Sequence, residues 1–393
     1  MWQAARLALG TASALGLSRF AYGLLVPAMR DDLRWTLAQA GAMSTANGLG
    51  YLGGALVAAV VVRRLGVAAA FRWGMALTAV TLGATAVSDD FAVLLALRAA
   101  AGVAGAVVFI SGGVIASRLA NRAGSGTPIT VYFAGAGLGI VFGGVTIPLL
   151  GHDWRAAWVV LGVAAGLATA AGWTAAGAGG EAPATTTGRA RVRPLWRAAS
   201  AYLLFAVGYI TYITFLSAYL DDRDAPTGQV VLTWAALGLA VVAAPALWSR
   251  PIGGWPGTRA LATLLGVLGG GAGLALVAPT PPVILGSAVV YGATFMGVPA
   301  AITALIRTTV PAEDWTATLA AFTTVFAAGQ TAGPWLAGIV ADHTSTDATL
   351  AWTAVLCAAA ALMAVRAGPP RRSGVPRPPR PRPAAPARRR RGS

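Results

Sequence analysis

Residues 91–117 read FAVLLALRAAAGVAGAVVFISGGVIAS, an apolar run in which Arg98 is the one charged residue. About 20 consecutive apolar residues in a helix are enough to cross the hydrocarbon core of a bilayer. The run lacks the alternation of polar and apolar residues that a membrane-spanning β-strand carries. It therefore predicts an α-helix that spans a membrane.

Apolar runs of similar length recur along the chain. Of the 393 residues, 56% are hydrophobic and 11% are charged, whereas an ordinary soluble domain carries about 25% charged residues. We therefore predict an all-α polytopic membrane protein with twelve transmembrane helices. The predicted spans are 4–27, 40–62, 67–87, 91–117, 127–150, 156–177, 198–220, 230–248, 259–278, 283–306, 316–340 and 348–366.

A polar segment divides these spans into six and six. Residues 179–197 read GGEAPATTTGRARVRPLWR, the one long polar interval between spans. We predict an N-terminal six-helix bundle at 1–178, a cytoplasmic linker at 179–197 and a C-terminal six-helix bundle at 198–366. A weak internal repeat supports this division, because Tyr22 recurs as Tyr212 and Gly139 recurs as Gly333 at offsets of 190 and 194 residues.

The positions of the arginines predict the orientation. All 29 basic residues are Arg, and ten of them lie between Arg366 and Arg391. Most of the others fall in alternate short loops, which the positive-inside rule assigns to the cytoplasm. We therefore expect both termini to be cytoplasmic, in a bacterial cytoplasmic (inner) membrane. The Pro- and Arg-rich segment 367–393 is expected to be a disordered tail, and the net charge of +16 then indicates membrane topology rather than a nucleic-acid partner.

Residues for enzyme or metal chemistry are scarce. The chain contains one cysteine, Cys357, and two histidines, His152 and His343, with no spacing typical of metal ligands. No predicted span contains Asp or Glu, so no buried carboxylate pair is available for acid–base catalysis. We expect no cofactor, no metal ion and no catalytic residue.

Two arginines inside the predicted spans are the strongest functional signal. Arg19 lies about eight residues before the outer end of the first span, and Arg98 lies about seven residues past the outer end of the fourth. Because these helices run in opposite directions, both residues fall at a similar depth. Ionisable residues within a membrane are costly, and they usually mark pathways or binding sites. Two cations without an acid predict a cavity that favours an anionic group.

Other polar and aromatic residues in the spans predict the wall of that cavity. Buried Tyr, Asn and Gln either join helices by hydrogen bonds or line a wet cavity, and the sequence leaves both alternatives open. The candidate substrate-binding residues are Arg19, Tyr22, Asn47, Tyr51, Arg98, Tyr209, Tyr212, Tyr291, Phe295 and Gln330.

Small residues and prolines predict close packing and bending. Gly135, Gly139 and Gly143 form a stripe at i,i+4 spacing, along which another helix can approach closely. Pro334 interrupts a predicted span and is a candidate for gating. Gly102, which follows Arg98 at i+4, is a further packing candidate.

Several motifs resemble the major facilitator superfamily (MFS). Arg98-Ala-Ala-Ala-Gly102-Val-Ala-Gly105 resembles the Arg-x-x-x-Gly-x-x-Gly motif of its fourth span. The run RFAYGLLVPAM at 19–29 is similar to the opening signature of its YbfB/YjiJ branch, as are the blocks ANGLGYLG at 46–53, GYITYITF at 208–215 and GQTAGP at 329–334. The likeness extends over roughly residues 4–366. It implies two six-helix bundles that alternate access to a site between them.

The sequence therefore predicts a secondary active transporter that moves a small organic solute with an anionic group. One alternative is a proton-coupled exporter of drugs or metabolites, although no carboxylate or His lies inside a span and only edge candidates such as Asp31, Asp221 and Asp342 are left. A second is a membrane sensor or scaffold that transports nothing. The expected partners are a small-molecule substrate and the lipid bilayer. A coupling ion stays open, and we expect a monomer.

Overall fold

The computed structural model describes residues 2–178 and 188–366, and within them it contains helices and turns but no β-strand. The expected tail at 367–393 and residues 179–187 of the expected linker lie outside the described residues. In chain order, the long helices of the described ranges are α1 (Trp2–Leu33), α2 (Leu37–Leu65), α3 (Val67–Thr85), α4 (Phe91–Ala123), α5 (Thr127–Thr146), α6 (Trp154–Gly172), α7 (Trp196–Asp221), α8 (Thr227–Gly254), α9 (Arg259–Val277), α10 (Pro281–Thr309), α11 (Trp315–Asp342) and α12 (Asp347–Val365).

Eleven helices in the described ranges are long and apolar enough to cross a membrane. The exception is α11, which has 28 residues and lies where the eleventh span is expected, but carries Gln330 and Pro334 in its middle. The all-helical membrane fold predicted from the sequence is confirmed. The helices extend beyond several of the apolar runs, as in α4, which continues from the predicted end at 117 to Ala123.

The first helix is not a regular α-helix. It begins as an α-helix at Trp2–Thr11, continues as a π-helix at Ala12–Phe20 and ends as an α-helix at Tyr22–Leu33. The wider turn is closed by an i→i+5 hydrogen bond of 2.9 Å from the amide of Ala21 to the carbonyl oxygen of Gly16. π-helical turns are rare and occur frequently at functional sites. Arg19 lies in this segment.

Helix contacts form two groups with three main pairings between them. In the N-terminal group, α2 and α3 pack on α4, α1 on α5 and α3 on α6. In the C-terminal group, α7 packs on α11 and α12, α9 on α10 and α12, and α8 on α10. The pairs α1–α7, α2–α11 and α5–α8 join the groups. The division into bundles at 1–178 and 198–366 agrees with these contacts and stays a prediction.

The pair α2–α11 is tightly joined at the end of the bundle where α2 begins, which we call the Trp35 end. The Asp342 carboxylate accepts the backbone N–H groups of Leu37 and Ala38 at 2.7 and 2.9 Å. A carboxylate in this position satisfies free N–H groups and complements the helix dipole. A Cβ atom on Gly41 would collide with the carbonyl oxygen of Pro334. The two helix groups are therefore in direct backbone contact at this end.

At the opposite end, which we call the Asp314 end, the described part of the linker is attached to the start of α11. The Asp314 carboxylate accepts the backbone N–H of Arg189 and the Nε–H of Arg191, both at 2.7 Å. The backbone N–H of Arg191 also donates to the Thr318 hydroxyl at 3.0 Å. Residues 188–191 therefore belong structurally with the C-terminal group of helices.

Candidate substrate-binding site

Arg19 is the charged centre of the candidate site. Its side chain is buried, with 7% of the residue exposed, and its Nη2 donates to the Gln330 Oε1 at 2.7 Å. The guanidinium carbon lies 5.5 Å from the ring centroid of Tyr51, a distance at which a cation is attracted by an aromatic face. The ion pairs within the described ranges do not include Arg19. An amide oxygen and an aromatic ring, rather than a carboxylate, therefore meet its charge.

Gln330 joins the two helix groups at this point. The Tyr209 hydroxyl donates to the same Oε1 atom at 3.0 Å, so one amide oxygen of α11 accepts from both α1 and α7. The Gln330 Nε2 and the Arg19 Nε are buried and have no hydrogen-bond partner among the described residues. A buried donor without an acceptor costs about 1–3 kcal/mol. The arrangement therefore leaves two donor nitrogens available to the oxygen atoms of a ligand.

Aromatic rings surround Arg19 and Gln330. Tyr209 lies 6.1 Å from Phe295 and 5.4 Å from Phe326, with the rings stacked in both pairs. Phe20 meets Phe295 edge to face, with 5.7 Å between the ring centroids. With Tyr51, these rings come from five helices, α1, α2, α7, α10 and α11. We call Phe20, Tyr51, Tyr209, Phe295 and Phe326 the aromatic wall.

Tyr212 and Tyr291 extend this surface but use their hydroxyl groups within the C-terminal group. Their rings stack with centroids 4.2 Å apart. The Tyr212 hydroxyl forms a 2.7 Å hydrogen bond with the hydroxyl of Ser287, and the Tyr291 hydroxyl donates to the backbone oxygen of Tyr209. These contacts favour the joining of helices as the role of both residues, which is one of the two alternatives that the sequence leaves open.

Arg98 forms a separate, more deeply buried centre. Only 1% of the residue is exposed, and its Nη1 donates to the backbone oxygen of Ser18 at 2.6 Å. The guanidinium carbon lies 4.9 Å from the ring centroid of Tyr22 and 5.3 Å from that of Trp158. The Nε and Nη2 atoms of Arg98 have no partner among the described residues. This centre lies between α1, α4 and α6, within the N-terminal group.

Two further candidates bond the backbone next to this centre. The Asn47 side-chain amide donates to the backbone oxygen of Arg98 at 3.2 Å, and the Tyr22 hydroxyl donates to that of Ala40 at 2.8 Å. Both side chains therefore join helices of the N-terminal half. The ten candidates thus separate into three neighbourhoods, of which the one around Arg19 contains Tyr51, Tyr209, Phe295 and Gln330.

The neighbourhoods of Arg19 and Arg98 contain further residues that were absent from the sequence-based candidates. Ser18 and Phe20 are the chain neighbours of Arg19, and Phe326 lies four residues before Gln330, on the same helical face. These three could have been found by including the neighbours of the polar candidates. Trp158 carries no such signal, because the sequence does not separate an inward-facing Trp from one that faces lipid.

The glycine candidates lie at close helix crossings. A Cβ atom on Gly135 would collide with the backbone oxygen of Ala8, and one on Gly139 would collide with that of Ala12. A Cβ on Gly143 would lie 3.0 Å from the Cβ of Ala21. A Cβ on Gly102 would collide with the backbone oxygen of Asn47. Pro334 lies inside α11, beside Gly41 of α2. This geometry supports helix packing as the role of the glycines, whereas gating at Pro334 stays a prediction.

Comparisons with known proteins identify the fold and the family. The crystal structure of the nucleoside transporter NupG is similar to this chain, with a TM-score of 0.67 and 12% identity. The structure of a NupG mutant has the same TM-score and 14% identity. Each match covers 92% of this chain and 98% of the other. The crystal structure of a bacterial homolog of the human lysosomal transporter Spinster, in an inward-facing and unoccupied conformation, has a TM-score of 0.67 and 13% identity, covering 92% of this chain and 94% of the other. At these identities the likeness concerns the fold.

No curated protein matches the sequence. The family model described as "Uncharacterised MFS-type transporter YbfB" matches residues 11–367. This match confirms the resemblance predicted from the motifs in the first, second, fourth, seventh and eleventh spans. The chain is a membrane transporter, and it belongs to the YbfB family of MFS-type transporters.

Proposed function

We propose that this protein is a secondary active transporter that moves a small organic solute with an anionic group across the cytoplasmic membrane by alternating access. The observation that carries the proposal is the environment of Arg19. This guanidinium is buried between the two helix groups, contacts an amide oxygen and a tyrosine ring, and has an Nε–H without a partner in the described part of the chain. An anionic solute would supply the counter-charge and the missing acceptor.

The energetics of a buried cation support this interpretation. A cation in the membrane interior is unfavourable unless it is paired or hydrated, and the hydrogen bond from Arg19 to the neutral amide oxygen of Gln330 satisfies it less than a carboxylate would. A carboxylate accepts two parallel hydrogen bonds from a guanidinium, which also fixes the orientation of the bound group. Arg98 adds a second positive charge to the same half of the protein. Together they favour a solute with one or two negative charges over a neutral or cationic one.

The position of the site fits alternating access. Arg19 and Tyr51 belong to the N-terminal group of helices, and Tyr209, Phe295 and Gln330 belong to the C-terminal group. Relative movement of the groups would therefore break the hydrogen bond between Arg19 and Gln330 and expose both sets of donors. We infer from the arginine distribution that the Trp35 end faces outward. The contact between α2 and α11 then closes the outer end, and we propose that the site opens toward the cytoplasm when the helix groups move.

The proposal is tested by binding and flux with purified protein, which we expect to act as a monomer. Arg19→Ala should lower the affinity for an anionic substrate about 10- to 150-fold, since a hydrogen bond to a charged group contributes about 1.5–3 kcal/mol. Arg19→Lys should recover part of the affinity, because an ammonium lacks the planar fork that grips a carboxylate at two points. Arg250→Ala, which removes an exposed arginine at the end of α8, serves as the control.

Two outcomes would contradict the proposal. Unchanged affinity for an anionic substrate in folded Arg19→Ala would remove this residue from the site. Binding without any solute flux in proteoliposomes, under gradients of either direction, would favour the sensor alternative over transport.

A further inference from the structure

The geometry points to an aromatic acid as the solute: a planar ring that bears a carboxylate, with the carboxylate on Arg19 and Gln330 and the ring against the aromatic wall. This inference rests on the proposed function, since it names the class of anion that the same site would carry. It adds a requirement that charge alone does not set, which is a planar π-surface next to the anionic group.

The anionic end of the solute is defined by two adjacent donors. Within residues 2–178 and 188–366, the Arg19 Nε and the Gln330 Nε2 have no hydrogen-bond partner. Their residues are 7% and 0% exposed, and a hydrogen bond of 2.7 Å joins the two side chains. A carboxylate has two oxygen atoms that each accept hydrogen bonds. One group could therefore satisfy both donors, whereas a neutral amide would present a single oxygen and its own N–H donors.

The ring end of the solute is defined by what surrounds those donors. Tyr51 lies under the Arg19 guanidinium, the Tyr209 hydroxyl donates to the same amide oxygen as Arg19, and Phe295 stacks on Tyr209. The rings come from both helix groups, so they approach the site from both sides of the interface that must open. Stacked and edge-to-face ring pairs are favourable beyond the burial of their area. A ring attached to the carboxylate would therefore lie near the rings of Tyr51 and Tyr209.

The aromatic surface continues from the site toward the Asp314 end. Tyr209 stacks on Phe205 at 4.9 Å, and Phe205 stacks on Tyr202 at 5.9 Å. Phe326 lies 5.2 Å from Tyr202 and 5.4 Å from Tyr209, so it bridges the two ends of this row. Seven residues of α7 separate Tyr202 from Tyr209, about 10 Å along the helix. A planar ring leaving the site in this direction would keep an aromatic neighbour over that distance.

The rival explanation is that the rings only pack the helices together. Packing requires apolar volume but not a π-face, so an aliphatic side chain of similar size could replace a packing ring. Binding of an aromatic solute, in contrast, depends on the ring itself. Solutes that differ only in ring character, combined with a ring-to-aliphatic substitution, separate the two explanations.

The test measures binding of three probes to the full-length protein in detergent by calorimetry: benzoate, cyclohexanecarboxylate and benzamide. Benzoate should bind about 3- to 10-fold more tightly than cyclohexanecarboxylate, the range expected from one or two ring contacts, and benzamide should bind at least 10-fold more weakly than benzoate. Phe295→Leu should remove most of the preference for benzoate over cyclohexanecarboxylate. Phe91→Leu, which removes a ring packed on Trp35 at the Trp35 end, should retain it.

Each other outcome has a separate meaning. Equal affinity for the two acids, or a preference that survives in Phe295→Leu, would overturn the aromatic requirement and leave the anionic proposal intact. Equal affinity for benzamide and benzoate would overturn the anionic proposal and this inference with it. Binding of neither acid at 10 mM, with flux of another anion that depends on Arg19, would overturn this inference alone.

Discussion

Arg98 of α4 donates a hydrogen bond of 2.6 Å to the backbone oxygen of Ser18, the residue that precedes Arg19 in the π-helical segment of α1. The two intramembrane arginines are therefore connected through the backbone of α1. Arg19 lies at the interface between the helix groups, whereas Arg98 lies within the N-terminal group and holds the segment that carries Arg19. This arrangement assigns different expected phenotypes to the two residues.

Substitution of Arg98 is expected to lower both stability and substrate affinity. In Arg98→Met, the Ser18 oxygen loses its donor, which should cost about 1–3 kcal/mol, and the π-helical segment loses its support. Arg98→Lys keeps a donor and the charge, so it should recover part of the stability. Thermal unfolding and substrate binding measure the two effects. Wild-type stability together with complete loss of binding in Arg98→Met would instead place Arg98 in contact with the substrate.

Gln330→Glu is expected to abolish anion binding without loss of stability. The new carboxylate would lie within hydrogen-bond distance of Arg19 and supply the counter-charge that we assign to the substrate. Gln330→Met, which removes the amide without adding a charge, should weaken binding less than Gln330→Glu does. Affinity is measured by calorimetry and stability by thermal unfolding. If both variants bind an anionic substrate equally well, the charge of Arg19 does not select the solute.

The membrane fold could be predicted from the sequence because each span is a long apolar run bounded by charged or turn residues. The helix ends are less predictable, since a helix continues into the interface after its apolar run has ended. In α4, the continuation beyond 117 includes Arg118 and Arg122, whose charges end the hydropathy signal but not the helix. Such residues are good helix formers, so the last turns form outside the hydrocarbon core.

The sequence predicts which kinds of residue lie in the spans and at what depth, but it does not predict which of them lie together. Depth along a helix follows from residue counting, and it predicts a similar level for Arg19 and Arg98. The direction in which a side chain points around the helix axis can be predicted only where the helix is regular. On a regular α-helix, the i,i+3 spacing would place Tyr22 on the same face as Arg19. The π-helical segment ends at Phe20 and changes the angle per residue, and the Tyr22 ring lies beside Arg98. The sequence of this segment, ASALGLSRF, contains no feature that distinguishes a π-helix from an α-helix.

Gly41→Ala is expected to loosen the Trp35 end, because its Cβ would collide with the carbonyl oxygen of Pro334 and separate α2 from α11. Gly53→Ala is the matched control, since a Cβ on Gly53 meets no atom of the described residues within 4 Å and the residue lies in the same helix. In a Cys357→Ser background, Ser44→Cys provides a buried label on α2, where it faces Thr214 of the C-terminal group. Maleimide labelling should increase with Gly41→Ala and not with Gly53→Ala. Equal labelling in both variants would mean that this contact does not hold the end closed.

The orientation of the chain is predicted from the arginines and is tested by reporter fusions. A reporter that is active only in the cytoplasm should be active when it is fused after Arg366 or within 179–197, because the basic residues gather on that side. A reporter in the loop at Asp89 should report an external position, since α3 and α4 meet there. A cytoplasmic signal at Asp89 together with an external tail would invert the topology and the direction in which the site opens.

The attachment of the linker to α11 is expected to depend on pH through Asp314. The N–H of Arg189, followed by the Arg191 guanidinium, lowers the pKa of the Asp314 carboxyl below its ordinary value of 3.8. A carboxyl whose pKa is lowered on folding adds stability at pH values above its ordinary pKa, and this stability is lost as the pH falls through the lowered value. Asp314→Asn should therefore lower the unfolding temperature at pH 5–7, and its difference from wild type should shrink below about pH 3.8. The control is Glu313→Gln, which changes the exposed neighbouring carboxyl and should leave the unfolding temperature unchanged. If the difference between Asp314→Asn and wild type persists undiminished below this pH, the charge of Asp314 is not what holds the linker.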